Sequence, residues 1–271
     1  MPELPEVETI KNQLNLRIKG KTIKTVEVKL PRFVKYPVKK FKKITEGSTI
    51  ENISRRAKIL LFGLSGDHVL AVHLKLSGQL IFNGESQKHT HLIYYFKDNS
   101  KLIHNDVRQF GFVKVIPKQK LIDFLEKESF GPEPLGKEFT LDLFKELLKK
   151  RKKSPIKKVL MDPKFIAGIG NLYADEILFF AGVRPTRRVY RVNNKEIEKI
   201  YRQIKRILRL AIKKGGSSSS DYVDADGEKG NYLSLVKVYQ RHGQPCKKCK
   251  SEIKKTKMNN RSAHYCPKCQ K

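Results

Sequence analysis

Val7, Ile10, Leu14 and Ile18 recur at helical spacing behind Pro5, with charged and amide residues between them. That spacing puts the four apolar side chains on one face, so a helix is expected over residues 5–18, closed by Gly20. From residue 22 to residue 117 the period shortens to two. Residues 22–28, 59–62 and 92–96 are short runs rich in β-branched and aromatic side chains. Turn sequences such as Ser65-Gly66-Asp67 and Lys97-Asp98-Asn99-Ser100 separate them. Many short strands at this spacing fit a sandwich or a barrel.

Gly131-Pro132-Glu133-Pro134-Leu135-Gly136 reads as a linker, and beyond it the period becomes helical. Thr140 is placed to cap a helix running to about residue 150. Ser154-Pro155 has the form of a cap followed by a first-turn proline. A third helix is expected over 171–181. The longest carries an apolar stripe of Ile197, Ile200, Tyr201, Ile204, Ile207, Leu208, Ala211 and Ile212. Asn193 and Glu196 make a capping-box start for it, and Gly215-Gly216 stop it. Its other face carries Arg202, Lys205, Arg206, Arg209 and Lys213, a pattern that ordinary solvation explains as well as DNA contact does. Residues 217–230 are polar and without periodicity, either a lid over a site or a connector.

Charge narrows the function. Fifty-eight Lys and Arg against 27 Asp and Glu leave a net charge of +31 over 271 residues. A field of that size concentrates a polyanion at the surface, and nucleic acid is the natural partner, since each neutralised phosphate releases counterions. The basic residues are spread along the chain with no polybasic tail or lipidation motif, which weakens a membrane-surface role. No run of eighteen apolar residues and no basic-then-apolar leader is present, so the chain is expected to stay in the cytosol with reduced thiols.

All four cysteines lie near the end, as Cys246-x2-Cys249 and Cys266-x2-Cys269, with sixteen residues between the pairs. Two disulfides are one reading; in a reducing compartment this spacing favours one tetrahedral zinc. Four thiolates leave no open position, so the zinc is structural. Residues 253–257 and 262–265 read as two strands, with Asn259-Asn260 as turn residues and Arg261 near the tip. Phe165-Ile166-Ala167-Gly168-Ile169-Gly170-Asn171 is a glycine-rich turn into a helix, suited to phosphate through a helix start and the Asn171 side chain, or else a plain tight turn. Arg108 and Phe110 lie two residues apart and suit a wedge that unstacks bases, while core packing of Phe110 is the alternative.

The chain opens Met1-Pro2-Glu3-Leu4-Pro5-Glu6-Val7-Glu8. A small, rigid second residue allows the initiator methionine to be removed, leaving a secondary amine at the start. An α-amino group has a pKa of about 7.7–8.0, so it is partly uncharged near neutrality and able to attack an electrophilic carbon. Glu3 beside it is placed to move protons. The plain alternative is a helix start, which suits Pro and acidic residues equally well.

Together these motifs resemble the formamidopyrimidine-DNA glycosylase family. The resemblance is carried in order by Pro2-Glu3-Leu4-Pro5-Glu6-Val7-Glu8-Thr9, Arg56-Ala57-Lys58, His73-Leu74-x-x-Ser77-Gly78, Ala167-Gly168-Ile169-Gly170-Asn171-x-Tyr173-Ala174-x-Glu176 and the four-cysteine hairpin. It implies an α+β multidomain fold: an N-terminal helix with a β-sandwich (1–117), a linker (118–136), a helix-two-turn-helix domain (137–240) with a 217–230 lid loop, and a zinc hairpin (241–271). It also implies a base-excision repair enzyme acting on double-stranded DNA, in the bacterial cytoplasm at the nucleoid; a monomer is expected because no coiled-coil heptad appears. Oxidised purines such as 8-oxoguanine and formamidopyrimidines would be the substrates. By the same resemblance Pro2 is the nucleophile at C1′ and Glu3 the proton donor. Lys58 serves β-elimination and Arg261 serves phosphate grip and δ-elimination. His89, Arg108, Lys152 and Asn171 bind DNA, and Leu76 and Phe110 form the wedge. Glu6 and Glu176 support the site or serve packing and capping.

Several positions depart from the family pattern. Leu76 stands for a methionine and keeps its apolar volume. Val107 and Gln109 replace a proline and an arginine around Arg108. Ser219 and Ser220 stand where a large apolar residue and a cation are frequent, which bears on lesion choice more than on catalysis. Leu4-Pro5 points away from the endonuclease VIII branch, which acts on oxidised pyrimidines and remains the first alternative. A non-catalytic DNA-binding protein on the same scaffold is the second.

Overall fold

The computed structural model describes residues 2–218, 222–258 and 260–271. Met1, Ser219, Ser220 and Asn259, on which expectations were placed, lie outside the described residues. Contacts divide the chain into two compact units. One is Met1–Glu128 with Ala211–Leu233, and the other is Ser129–Leu210 with Ser234–Lys271. The loop after the long helix thus belongs with the N-terminal unit, while the cysteine hairpin belongs with the helices.

The first unit begins with α1 (Leu4–Ile18). Glu3 is its N-cap in extended conformation, and the Glu6 carboxylate accepts from the Glu3 N–H at 2.8 Å, the return half of a capping box. Beyond the helix Lys19 turns extended and Gly20 takes φ +82°, a left-handed value that glycine adopts without steric cost. Its strands form two antiparallel sheets. β1 (Ile23–Val28), β6 (Thr90–Phe96), β7 (Lys101–Asp106) and β5 (Gly78–Phe82) make one, in the order β1-β6-β7-β5. β2 (Ile50–Arg56), β3 (Ile59–Leu64), β4 (His68–His73) and β8 (Phe112–Pro117) make the other, in the order β2-β3-β4-β8.

The sandwich core and the apolar face of α1 are one continuous cluster. Val7, Ile10, Leu14 and Ile18 are fully buried in it with Leu60, Phe62, Leu70, Leu80, Leu92 and Leu102. Each such side chain contributes about 1.5–3 kcal/mol on leaving water. Polar bonds fix where the helix sits. The Asn15 side chain donates to the Ile53 carbonyl at 2.6 Å and accepts from the Ile53 N–H at 3.0 Å, as a neighbouring strand would along the open edge of β2. A short helix α2 (Val38–Thr45) packs against β1, burying Phe41.

The stretch 118–136 is not featureless. It carries α3 (Leu121–Lys127), and then Gly131 packs so tightly on the glycine-rich turn that a Cβ there would lie 2.4 Å from the Phe165 carbonyl oxygen. In the second unit, α4 (Leu141–Lys149) is capped by the Thr140 hydroxyl, which accepts from the Leu143 N–H at 3.2 Å. α5 (Ile156–Leu160) starts one residue later than a Ser154 cap implies, because Pro155 is itself the cap. Residues 154–156 stay extended through bonds of strand type, Val189 N–H to the Ser154 carbonyl and Ile156 N–H to the Arg187 carbonyl. α6 (Asn171–Ala181) ends at Gly182 with φ +76°, and α7 (Asn194–Lys213) starts with the expected box, Asn193 and Glu196 bonding each other's N–H. β9 (Lys254–Met258) and β10 (Arg261–Tyr265) form the terminal hairpin. Among the described residues no helix is long and apolar enough to cross a membrane.

Candidate active site and nucleic-acid interface

Pro2 and Glu3 are both buried at the head of α1. One carboxylate organises their surroundings. Glu6, 1% exposed, takes the Glu3 N–H on Oε2, and on Oε1 it takes the N–H and hydroxyl of Ser217 at 2.8 and 3.0 Å. The segment that carries the candidate nucleophile and the start of the 217–230 loop therefore share one acceptor. Gly216 makes the approach possible: a Cβ there would stand 2.9 Å from Glu6 Cγ, and its φ is +82°.

Lys58 lies with Ala57 in the tight turn joining β2 to β3, where Arg56 faces Ile59 and Ala57 takes φ +53°. The Lys58 side chain is half-buried. Burial, then the charges of Lys75 and Lys58, hold the His73 imidazole down at about 3. His73 is thus neutral, and its Nδ1 accepts from the Lys75 N–H at 3.0 Å.

Four of the expected DNA-binding residues come together around Asp106, which is fully buried at the end of β7. Its Oδ1 accepts from the Ser77 hydroxyl at 2.5 Å and the Arg108 N–H at 3.2 Å, and its Oδ2 from the Gly111 N–H at 2.7 Å. Its own N–H donates to the His89 carbonyl at 2.9 Å. The loop holding Leu76, the loop holding Arg108 and Phe110, and the backbone of His89 are all tied to this one residue. Phe110 is not core: it is 55% exposed, with the Arg108 guanidinium 5.2 Å from its ring centroid. A cation stacked on an exposed aromatic is a chemically suitable wedge.

The second unit presents Lys152, exposed, and Asn171, the first residue of α6. The Asn171 Oδ1 is buried and has no hydrogen-bond partner among the described residues. Arg261 is exposed at the start of β10 and lines a cleft of about 670 Å³ with Arg151, Lys158 and Lys257. Behind that cleft is a buried network. Lys157 Nζ lies 2.7 Å from both Asp175 Oδ1 and the Ser262 carbonyl, while Asp175 Oδ2 takes the N–H and Nδ1 of His264. Removing one member of such a buried pair costs about 3–5 kcal/mol, so the strand beside Arg261 is firmly held. Glu176, whose carboxyl burial pushes up while three N–H donors pull it down, accepts from the backbone of Lys237, Val238 and Tyr239. It is a fixed brace for the chain entering the hairpin.

The four cysteine sulfurs all lie within 4.8 Å of one another. A tetrahedron with Zn–S of about 2.3 Å has sulfurs about 3.8 Å apart. Cys246 and Cys269 stand at 3.9 Å and Cys249 and Cys266 at 3.4 Å, so the donors fit the ion.

Three families of known proteins match in order. The formamidopyrimidine-DNA glycosylase N-terminal domain matches residues 1–113, its H2TH domain residues 130–223, and the zinc finger found in FPG and IleRS residues 243–271. The formamidopyrimidine-DNA glycosylase of Carboxydothermus hydrogenoformans is 43% identical over all of both chains. That of Shouchella clausii is 40% identical, over 100% of this chain and 99% of its own. The chain belongs to the formamidopyrimidine-DNA glycosylase family. It is an enzyme, a DNA glycosylase of base-excision repair, of the class that also carries AP lyase activity. Its fold agrees with that of the Lactococcus lactis Fpg in complex with abasic-site DNA, at a TM-score of 0.93 and 37% identity over 99% of each chain. MutM in complex with carbocyclic 8-oxo-G DNA gives 0.92 and 36% over the whole of both.

The glycosylase holds one structural zinc on Cys246, Cys249, Cys266 and Cys269, and the ion completes a hairpin whose own apolar cluster is small. Sequence reasoning passed over Ser77, Asp106, Lys157, Asp175 and Ser217. Each is a polar position that periodicity treats as surface. The signal present was contextual: Asp106 stands two residues before Arg108, and Asp175 directly precedes Glu176 in a helix that is largely apolar.

Proposed function

We propose that this glycosylase excises oxidised purines, 8-oxoguanine and formamidopyrimidines, and then nicks the DNA at the same site. With Met1 removed, the Pro2 nitrogen lone pair attacks C1′ of the damaged nucleotide, which has been extruded from the stack. The bond from C1′ to the base breaks, and the base leaves with a proton. Glu3 gives a proton to the ring oxygen O4′ as the sugar opens, and an iminium links Pro2 to C1′. The iminium acidifies C2′–H. Loss of that proton expels the 3′ phosphate, and a second elimination expels the 5′ phosphate. Lys58 assists the first elimination, and Arg261 grips phosphate for the second. His89, Arg108, Lys152 and Asn171 bind the DNA, and Leu76 and Phe110 fill the gap left by the extruded nucleotide.

The observation that carries the reading is the burial of Pro2 and Glu3 side by side, in a register fixed by the Glu6 carboxylate. The net charge of +31 supports a DNA substrate. Borohydride added during reaction with an 8-oxoguanine duplex should trap a covalent adduct on the N-terminal residue, and Pro2→Gly or N-acetylation should slow it. Absence of an adduct, on any lesion, from protein lacking Met1 defeats the mechanism. Thymine glycol trapped in preference to 8-oxoguanine overturns the substrate class and favours the oxidised-pyrimidine branch.

A further inference from the structure

Helix α1 grips the 217–230 loop on both of its legs. On the outgoing leg Glu6 holds Ser217. Gln13 lies two turns along the same helix, about 10 Å further on. It uses both ends of its amide on the return leg. Its Oε1 accepts from the Ala225 N–H at 3.0 Å, and its Nε2 donates to Asp224 Oδ2 at 2.8 Å and reaches Asp226 Oδ2 at 3.4 Å. The clamped residues are rigid. Ala225 is fully buried and its carbonyl accepts from the Phe82 N–H at 2.8 Å, while Asp224 Oδ1 takes the N–H groups of Asp226 and Glu228. Arg17 also reaches Asp226, at 3.0 Å, but that pair is exposed and contributes little.

We propose that Gln13 is a positioning residue for base recognition: by clamping Asp224 and Ala225 it sets the register of the loop's return leg, from residue 222 on, against α1, the helix that follows Pro2 and Glu3. The inference rests on the function proposed above. Glu6 links the two, since it holds both Glu3 and Ser217. The loop therefore departs beside the group that attacks C1′. A damaged base must be held until its bond to the sugar breaks, and an abasic sugar presents no base to hold. Loop register consequently matters for excision and not for nicking a preformed abasic site.

The test compares one protein sample on two duplexes, one with 8-oxoguanine and one with a preformed abasic site, under single-turnover conditions. Gln13→Glu keeps the acceptor for Ala225 but sets a carboxylate against Asp224 and Asp226. Excision should fall about tenfold relative to nicking, the effect of losing one to two hydrogen bonds in a transition state. Adding Asp224→Asn gives the introduced carboxylate an amide donor, while the remaining oxygen at position 224 still takes the Asp226 and Glu228 N–H groups. The double variant should recover the excision-to-nicking ratio to within about threefold of the unaltered chain. If Gln13→Glu does not fold, Gln13→Ala is read instead and should lower the ratio in the same direction. An unchanged ratio, an equal loss on both duplexes, or no recovery in the double variant overturns the proposal. An unaltered chain that acts on neither duplex defeats the proposed function itself, a result distinct from these.

Discussion

Asp106→Asn tests whether one buried carboxylate holds the loops of Leu76 and of Arg108–Phe110 in place. The substitution keeps the volume and one acceptor oxygen. It replaces the other oxygen with an N–H2 group that must turn either to the Gly111 N–H, donor against donor, or to Ser77 and Arg108, where the Arg108 N–H keeps its 3.0 Å bond to Ser77 Oγ. The Ser77 hydroxyl is able to rotate and accept instead, but a backbone N–H is not. The amide therefore turns to Ser77, no backbone donor is orphaned, and the cost is the charge assistance lost from the surviving buried bonds, about 1–2 kcal/mol. Space gives no relief, because the Gly111 Cα sits where an added Cβ would be 2.9 Å from Asp106 Oδ2 and 3.0 Å from the His73 carbonyl. At about 2–4 °C per kcal/mol for a unit of this size, the melting point should drop about 2–8 °C. Equilibrium binding to a duplex carrying a stable abasic analogue should weaken about tenfold, since the Leu76 and Arg108–Phe110 loops lose their common anchor. A variant that melts within about 1 °C of the unaltered chain and binds equally well refutes the reasoning.

Two further outcomes follow from titration and from the metal. His73 and His104 are both held at about 3 in the folded chain, chiefly by burial, against 6.5 for a free imidazole. Lys75 and Lys58 reinforce this at His73; at His104, Asp106 opposes it and His91 adds to it. The unfolded chain binds these protons first, so stability is flat above pH 6.5 and falls as the pH drops toward 3; urea unfolding at pH 5.5 should show about 2–3 kcal/mol less stability than at pH 7.5. His104→Phe, beside Phe33, should remove about half of that dependence, and an unchanged slope contradicts the assignment. Modifying the thiols should release one zinc per chain, detected with a metallochromic dye, and should abolish duplex binding because the hairpin presenting Arg261 loses its fold; retained binding after full release counts against that role.

How much of this was legible beforehand depends on which physical signal each feature left in the chain. α6 was readable at both ends, because Gly170 and Gly182 bound an apolar run. The α7 box was readable because Asn193 and Glu196 stand at the required spacing. The cysteine spacing fixed the zinc donors. The start of α5 was not readable: Ser154-Pro155 has the form of a cap and first turn, but pairing with residues 187–189 holds Pro155 extended. Nor was the packing of 130–136, since a Gly-Pro-rich run signals a turn and says nothing of what lies against it. The exposure of Phe110, next to Gln109 with φ +56°, was open at the level of residue type, since either core packing or a wedge suits a phenylalanine.

Two acids that the sequence already pointed to, Glu6 and Glu176, and two that it did not, Asp106 and Asp175, share a single physical logic. Glu6, Asp106, Asp175 and Glu176 are acidic residues in a strongly basic chain, and all four are almost completely buried. Each accepts backbone N–H groups of a loop or hairpin: Ser217 for Glu6, Arg108 and Gly111 for Asp106, His264 for Asp175, and Lys237 to Tyr239 for Glu176. A loop that presents cations outward repels itself and cannot be held by apolar burial at its tip. A carboxylate on the inner side satisfies the loop's own backbone and leaves its cations facing out. Periodicity cannot reveal such residues, because a polar letter at an interior position looks the same as one in solvent. Local sequence does carry a trace of it. Asp106 and Glu6 sit within two or three residues of Arg108 and Glu3, groups proposed above to meet the DNA, and Asp175 and Glu176 break a largely apolar helix, so in a chain this basic an acid beside a nucleic-acid motif is better read as a brace than as surface.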